Sequence, residues 1–555
     1  MHPEMFELVF ANARIVDGCG NPWYRGDVGI RRRRIAHIAP PGTLRGQEII
    51  DLADRYLAPG IIDVHTHSDL SILINRRAES MVRQGVTTNV LGNCGMSPAP
   101  VRREHLADMR HYWEPLSAAP EVTWRWRTFG GYLRELARGG LAINVASLCG
   151  HAALRLAVMG FAAREPTLAE LEQMKDLLAE AMAAGAFGMS TGLVYPPGCF
   201  AQTEEIVELC RVVARYRGLY TSHIRGERET ILEAVAEAIE IGRQAGVPVQ
   251  ISHNAPKYGA PGDASANLRL VEEARARGQD VTVDNDVHTD LGPALTGALP
   301  QHVHGRSEAE IVALLQDPAA RRRLREEIQG DARPAFGPSG LLRHGRFDRI
   351  TVLHAPKTPQ AVGQTIAAWA QTQGLDPFDA YFDLIVANGE AAQAIFDYID
   401  ESNIRLLLRH PAVMICSDGQ VLAPYGLLND PPPYNPCSYG EFPGVLERYV
   451  RDHAVLTLEE AIRKMTSFPA QRFGLHDRGI VRPGAWADLF AFDLPRVRDR
   501  ATNLFPHTYP FENYPHRYPE GIDYVVVNGT VVIREGEHTG AMPGRVLRHR
   551  GNASP

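Results

Sequence analysis

Between residues 166 and 290 the apolar side chains alternate between helical and strand spacing, and this alternation constrains the fold of the 555-residue chain more than any other feature. Leu168, Leu171, Met174, Leu178 and Met182 share one helical face, Gly185 stops that helix, and Phe187-Gly188-Met189-Ser190-Thr191 reads as the next strand. Thr203 is placed to cap a helix striped by Ile206, Leu209, Cys210 and Val213; Gly218 ends it, and residues 219–224 form a strand. A helix over 227–245, a strand over 247–253, a helix over 264–277 and a strand over 280–287 continue the run. Strands joined by helices pair in parallel, so the body of the chain is a set of βα units of barrel or doubly wound type.

The ends have another texture. Residues 6–58 read as short strands with turn chemistry at Asp17-Gly18 and Gly20-Asn21-Pro22, and short strands return after Gly479, at Ala487 to Asp493, Tyr524 to Gly529 and Thr530 to Ile533. A few strands alone bury too little, so the two ends are expected to pair with each other as a small β-sandwich, residues 1–58 with 474–555, flanking a body over 59–473. The segment near 291–350, with Arg321-Arg322-Arg323 and several glycines, exceeds a minimal βα unit and reads as an insertion or lid; Pro431-Pro432-Pro433 marks a loop.

Composition narrows the function. A net charge of −7 with both signs mixed argues against nucleic acid as a partner, and the basic run Arg31 to Arg34 reads as a solvated strand edge. Residues 1–10 carry Glu4 and Glu7 and no basic, apolar leader, and no stretch is long enough to span a membrane, so a cytoplasmic protein without membrane contact is expected. The seven cysteines are odd in number and scattered, unlike a disulfide framework. Lysine is confined to Lys175, Lys257, Lys357 and Lys464.

The chemistry-bearing residues gather at expected strand ends. In Pro59-Gly60-Ile61-Ile62-Asp63-Val64-His65-Thr66-His67, the two histidines lie two apart and face one side of an extended chain, as a shared metal requires. Cys94 follows a strand over 87–91 between Gly92 and Gly95, and a thiolate is a good zinc ligand. His223 and His253 close consecutive strands one βα unit apart, at the rim where parallel-strand enzymes keep their sites. Asp418 ends the apolar run from Val413. Each alone has a structural reading: a satisfied core histidine, a buried apolar cysteine, a turn aspartate. The ordered set His-x-His, Cys, His, His, Asp at successive strand ends points to a metal centre.

These stretches, with Gly150-His151, Leu154-Arg155, Ser190 to Gly198, Ser222 to Arg225, Ser417-Asp418-Gly419 and Lys464 through Leu475 to Leu489, resemble the D-aminoacylase (N-acyl-D-amino-acid deacylase) branch of the amidohydrolase superfamily over nearly the whole chain. The resemblance implies a (β/α)8 TIM-type barrel with the β-sandwich beside it. It implies one tightly bound Zn2+ on Cys94, His223 and His253. A second, weaker or empty position is bordered by His65, His67 and Asp418, with Asp418 as the proton-transferring carboxylate. Related enzymes use a carboxylated lysine as bridging ligand; in the first half of this barrel no lysine lies near a suitable strand end, and Cys94 is the better candidate for that role. The departures concern substrate: Ala255 stands where the family has a lysine, with Lys257 two further on; Asn435-Pro436-Cys437 replaces His-Pro-Arg; and Asp286-Val287-His288 replaces a tyrosine-rich segment. Whether the substrate carries a carboxylate is left open.

The expected activity is metal-dependent hydrolysis of a linear amide in a small molecule, by a monomer or homo-oligomer. Asp418 moves the proton, Tyr195, Lys257 and His288 are substrate-binding candidates, and His151 and Arg225 are further candidates for the pocket lining. The alternatives are a cyclic-amide hydrolase of hydantoinase or dihydropyrimidinase type, and a metal-free binding protein on the same fold.

Overall fold

The computed structural model describes residues 5–113, 122–292, 294–303, 306–330, 339–429, 436–501 and 517–551. Pro431-Pro432-Pro433 and Asn435 lie outside the described residues.

Parallel strands form the centre. Ile61–Asp63, Val86–Leu91 and Asn144–Ser147 make one three-stranded sheet; Cys149–Gly150, Gly188–Gly192, Leu219–His223, Val249–Ile251, Val281–Asn285 and Val413–Ile415 make a six-stranded sheet in that spatial order. The two sheets meet along both edges. The chain runs directly from Ser147 to Cys149, and at the other edge Thr66 bridges Gly419 in parallel, with Asp418 N donating to the His65 carbonyl (3.0 Å) and His67 N to the Gly419 carbonyl (2.8 Å).

The crossover helices are where the apolar period placed them, and their inner faces pack in one large core. Ile206, Leu209, Cys210 and Val213 are fully buried on the helix Thr203–Arg215. Two details differ. Thr203 is the first helical residue rather than the cap, and its hydroxyl donates to Glu237 (2.7 Å) on the neighbouring helix. Leu168 is 85% exposed, because the helix Leu168–Ala184 begins beyond the sheet; Thr167 caps it in a reciprocal bond with Glu170, Leu171 is partly buried against the core, and full burial of the stripe begins at Met174.

Strands from both ends of the chain join one nine-stranded sheet, where Tyr56–Pro59 pairs in parallel with Met5–Ile15 and antiparallel with Leu489–Phe492. Met5–Ile15 is a single strand, bulged between Phe10 and Ala13 with Asn12 at φ 54°. The Arg31 to Arg34 run is a hairpin turn, with Arg32 and Arg33 left-handed and the Arg34 guanidinium 4.4 Å from the Trp486 ring centroid.

The segment around 291–350 belongs to a longer unit. Its hydrophobic cluster runs from Leu295 to Phe396, and its antiparallel sheet pairs Gln393–Asp397 with both Asp290–Leu291 and Ile350–His354. Arg321, from the arginine run, lies on the helix Pro318–Gly330 and binds Asp383 (2.6 Å). No helix among the described residues is long and apolar enough to cross a membrane.

Candidate metal centre

The carboxyl ends of parallel strands and the loops leaving them bring His65, His67, Cys94, His223, His253 and Asp418 into overlapping clusters, His65 with Cys94 and His253, His65 with His67 and Asp418, and His223 with His253 and Glu227. Cys94 Sγ lies 3.2 Å from His65 Nε2, 3.4 Å from His253 Nε2 and 3.6 Å from His223 Nδ1. Asp418 Oδ1 lies 3.4 Å from His65 Nε2 and 3.1 Å from His67 Nε2. His65 thus borders both groups, and Cys94 is central to the first.

The backbone makes this convergence possible at some conformational cost. Cys94, His253 and Asp418 all have positive φ, at 50°, 31° and 50°, so at each the chain reverses immediately after its strand and turns the side chain inward. Around Cys94 the packing leaves no room: a Cβ on Gly92 would lie 2.1 Å from the Leu148 carbonyl oxygen, and one on Gly192 would lie 2.2 Å from that of Cys94. Ser190 clamps this loop, its hydroxyl donating to the Gly92 carbonyl and accepting from Gly95 N (3.0 Å). Asp63 does the same for the last loop, accepting from Ser417 N (3.0 Å), from the Ser417 hydroxyl and from His65 N (3.3 Å).

Behind the histidines stand two carboxylates that sequence reading did not single out. Asp284 accepts from His65 Nδ1 (3.2 Å), His253 N (2.9 Å) and the Gln250 amide. Glu227 reaches the outer nitrogens of two rings, His253 Nδ1 at 3.0 Å and His223 Nε2 at 3.6 Å, and is itself bound by Lys257 Nζ. A carboxylate on the far ring nitrogen fixes tautomer and orientation in metal-bound histidines. Glu227 lies four residues after His223 and Asp284 lies within a predicted strand, but neither position declares a partner until the fold is known.

The charges support one another. Burial disfavours the Cys94 thiolate, yet the charges of His65 and His253 outweigh it and hold the thiol well below its ordinary range. Burial likewise opposes ionisation of Asp418, but His65 and His67 bring its carboxyl down to about 2.

Tyr195 is in this group, its hydroxyl 3.1 Å from His223 Nδ1, on the face that ring turns towards Cys94. Lys257 and His288 lie in an adjoining chamber of about 560 Å³ of open and enclosed space, whose walls also include Asp286, Asp290, Tyr398 and Cys437. Both are already partnered, Lys257 by Glu227 and His288 Nδ1 by Glu441 (2.6 Å). Burial, with Glu441 and Asp418 nearby, pushes the Asp286 carboxyl up to about 7. His151 and Arg225 are held elsewhere. His151 is fully buried against Glu205 (2.8 Å), which also binds Arg155, and the Arg225 guanidinium is spent on Glu237 (2.9 Å) and the Cys199 carbonyl.

With this geometry in hand, comparison with known proteins is direct. The sequence profile of the Amidohydrolase family matches residues 48–533. The chain belongs to the amidohydrolase family. Among curated relatives, the D-aminoacylase of Alcaligenes xylosoxydans xylosoxydans is 35% identical over 98% of this chain and 97% of its own length. The N-acyl-D-glutamate deacylase of the same organism is also 35% identical, over 98% of this chain and 97% of the relative. Among solved structures, the N-acyl-D-glutamate deacylase of Bordetella bronchiseptica, complexed with zinc and a phosphonate mimic of the tetrahedral intermediate, superposes with a TM-score of 0.76 at 33% identity, covering 98% of this chain and 100% of that one. The amidohydrolase described here is therefore a mixed α/β protein of the same fold as that deacylase.

Proposed function

We propose that this amidohydrolase is a zinc-dependent hydrolase of a linear amide bond, of the N-acyl amine deacylase type. The carrying observation is the spacing around Cys94. Ligands at the usual zinc–sulfur and zinc–nitrogen lengths on a tetrahedron put sulfur and nitrogen about 3.5 Å apart, and Cys94 Sγ lies 3.4 Å from His253 Nε2 and 3.6 Å from His223 Nδ1. The donor set fits zinc: one thiolate, neutral imidazoles and a carboxylate, with Asp284 and Glu227 on the outer nitrogens. Cys94, His223 and His253 would hold the ion, with His65, His67 and Asp418 bordering a second position.

A zinc ion there supplies a water acidified to a pKa of about 7 and a Lewis acid for the amide carbonyl. Asp418 Oδ1 takes the proton from the attacking water and returns it to the departing amine nitrogen, a role open to a carboxylate placed 3.4 Å from His65 Nε2 and 3.1 Å from His67 Nε2. Tyr195 offers its hydroxyl to the carbonyl oxygen as charge develops there. Asp284 and Glu227 keep His65, His223 and His253 turned inward.

The same proposal covers the architecture. With 144–150 counted as one strand, eight parallel strands whose sheets meet at 147–149 and at Thr66–Gly419 constitute a closed (β/α)8 barrel over 59–473. The shared terminal sheet forms the β-sandwich of 1–58 and 474–555, and the insertion extends over 290–397.

The test is metal analysis of the purified protein together with turnover of N-acyl-D-amino acids, their amides and N-acyl amines. Zinc at one equivalent or more, with hydrolysis of a linear amide that Asp418→Asn lowers by ~10²–10⁴-fold, is the expected result. A protein that never retains a divalent ion, or an Asp418→Asn variant with full turnover, refutes it.

A further inference from the structure

The chamber beside the metal centre has an uneven supply of charge. Asp286, Asp290 and Asp418 all contribute to its walls, and Lys257 and His288 are its basic groups apart from His253 in the metal cluster. Both are committed: Lys257 Nζ to Glu227, and His288 Nδ1 to Glu441 at 2.6 Å. Behind His288 the next cation is Arg448, 3.8 Å from Asp499. Asp286 is the reverse case. Among the described residues its carboxylate takes part in no hydrogen bond or ion pair, although it lies on the chamber wall in surroundings that penalise a bare negative charge.

Among the described side chains of the chamber wall, a substrate carboxylate would meet Asp286 and Asp290 and no cation without a carboxylate partner of its own. A cationic group would find Asp286 waiting, and like-charge juxtaposition is how such a pocket rejects the wrong ligand. We infer that this chamber receives a positively charged group of the substrate, an ammonium or guanidinium, with Asp286 as the residue that selects it. The inference rests on the amide-hydrolase reading and names the substrate class within it: an acylated polyamine or basic amine, or an amide with a basic acyl chain, in place of an N-acyl amino acid.

The experiment compares matched linear amides on the zinc-loaded enzyme. One set ends in ammonium, primary amide or carboxylate on the amine side, and a second set carries the same three ends on the acyl side. In whichever set is turned over, kcat/KM for the ammonium compound should exceed that for the carboxylate by ~10-fold or more, with the neutral amide between. Asp286→Asn should remove most of that preference by lowering the ammonium rate. A carboxylate or neutral compound that equals or outranks the ammonium, or an unchanged order in Asp286→Asn, overturns the inference while leaving the hydrolase reading in place. If no linear amide is turned over, the hydrolase reading falls. Calorimetric binding of the same compounds then decides the chamber's preference: tighter ammonium binding lost in Asp286→Asn supports the selection by Asp286, and any other order overturns it.

Discussion

The two ends of the central parallel strands are finished with opposite chemistry. Beyond their carboxyl ends lie imidazoles, a thiol and carboxylates on backbone turned back upon itself. At their amino ends two long basic side chains close the structure: Lys464 Nζ donates to the carbonyls of His410 and Val413 (2.8 Å for the latter), and Arg472 binds Asp280 (2.7 Å) and the Val249 carbonyl. Each of these cations donates to main-chain carbonyls at or just before the start of a strand, and burial lowers its pKa, to about 8 for Lys464 and about 10 for Arg472. One end keeps its polar groups aimed at a point where something can bind; the other spends them on its own main chain. Ligands of parallel sheets are found at the carboxyl ends for this reason.

That contrast can be broken by mutation. Cys94→Ala, at the carboxyl end, should abolish zinc retention and lower activity at least as far as the ~10²–10⁴-fold expected for Asp418→Asn, read by metal analysis and kcat together; full zinc content in Cys94→Ala would remove the cysteine from the centre. Glu227→Gln and Asp284→Asn should each weaken zinc ~10–100-fold in chelator competition, with a smaller loss of kcat once zinc is saturating. Acidification should also strip the metal, since protons compete for Cys94 and the histidines, so the zinc dissociation constant should rise as pH falls. At the amino end the effect should be on stability alone. Lys464→Met leaves the His410 and Val413 carbonyls without their donor and should cost about 1–3 kcal/mol in denaturant unfolding, with zinc content and KM unchanged.

Lys464 also gives the smallest effect a sign. Burial lowers its pKa to about 8 from an ordinary 10.5. Between those values the unfolded chain keeps a proton that the folded chain has released, so this residue's contribution to stability rises as pH climbs from about 8 to 10.5. Lys464→Met should flatten that part of the unfolding profile; an unaltered slope would mean that Lys464 titrates normally.

What the sequence disclosed followed the range of the forces involved. Local patterns located the strand that ends in His223 and the one that stops two residues before His253, because an apolar run and the residues just past it are neighbours in the chain. The six converging side chains were legible because they share one chemistry and one kind of position. Asp284 and Glu227 were not, since an acid behind a histidine acquires meaning only through contacts such as His65 to Asp284, 219 residues apart. The extent of the insertion was hidden for the same reason: Gln393–Asp397, well past 350, completes its sheet by pairing with strands on either side of the helices. Thr203 and Leu168 show the other limit, where propensity places an element and a neighbouring helix or the edge of the sheet decides what each end residue touches.

The left-handed turns at Cys94, His253 and Asp418 bear on how such a protein can change over generations. A residue gained or lost at one of these turns would move its ligand off the reversal and swing it away from the shared centre. Length variation is therefore channelled outward, into the loops beyond the turns, where segments as large as 290–397 can be accommodated while the six clustered side chains keep their places.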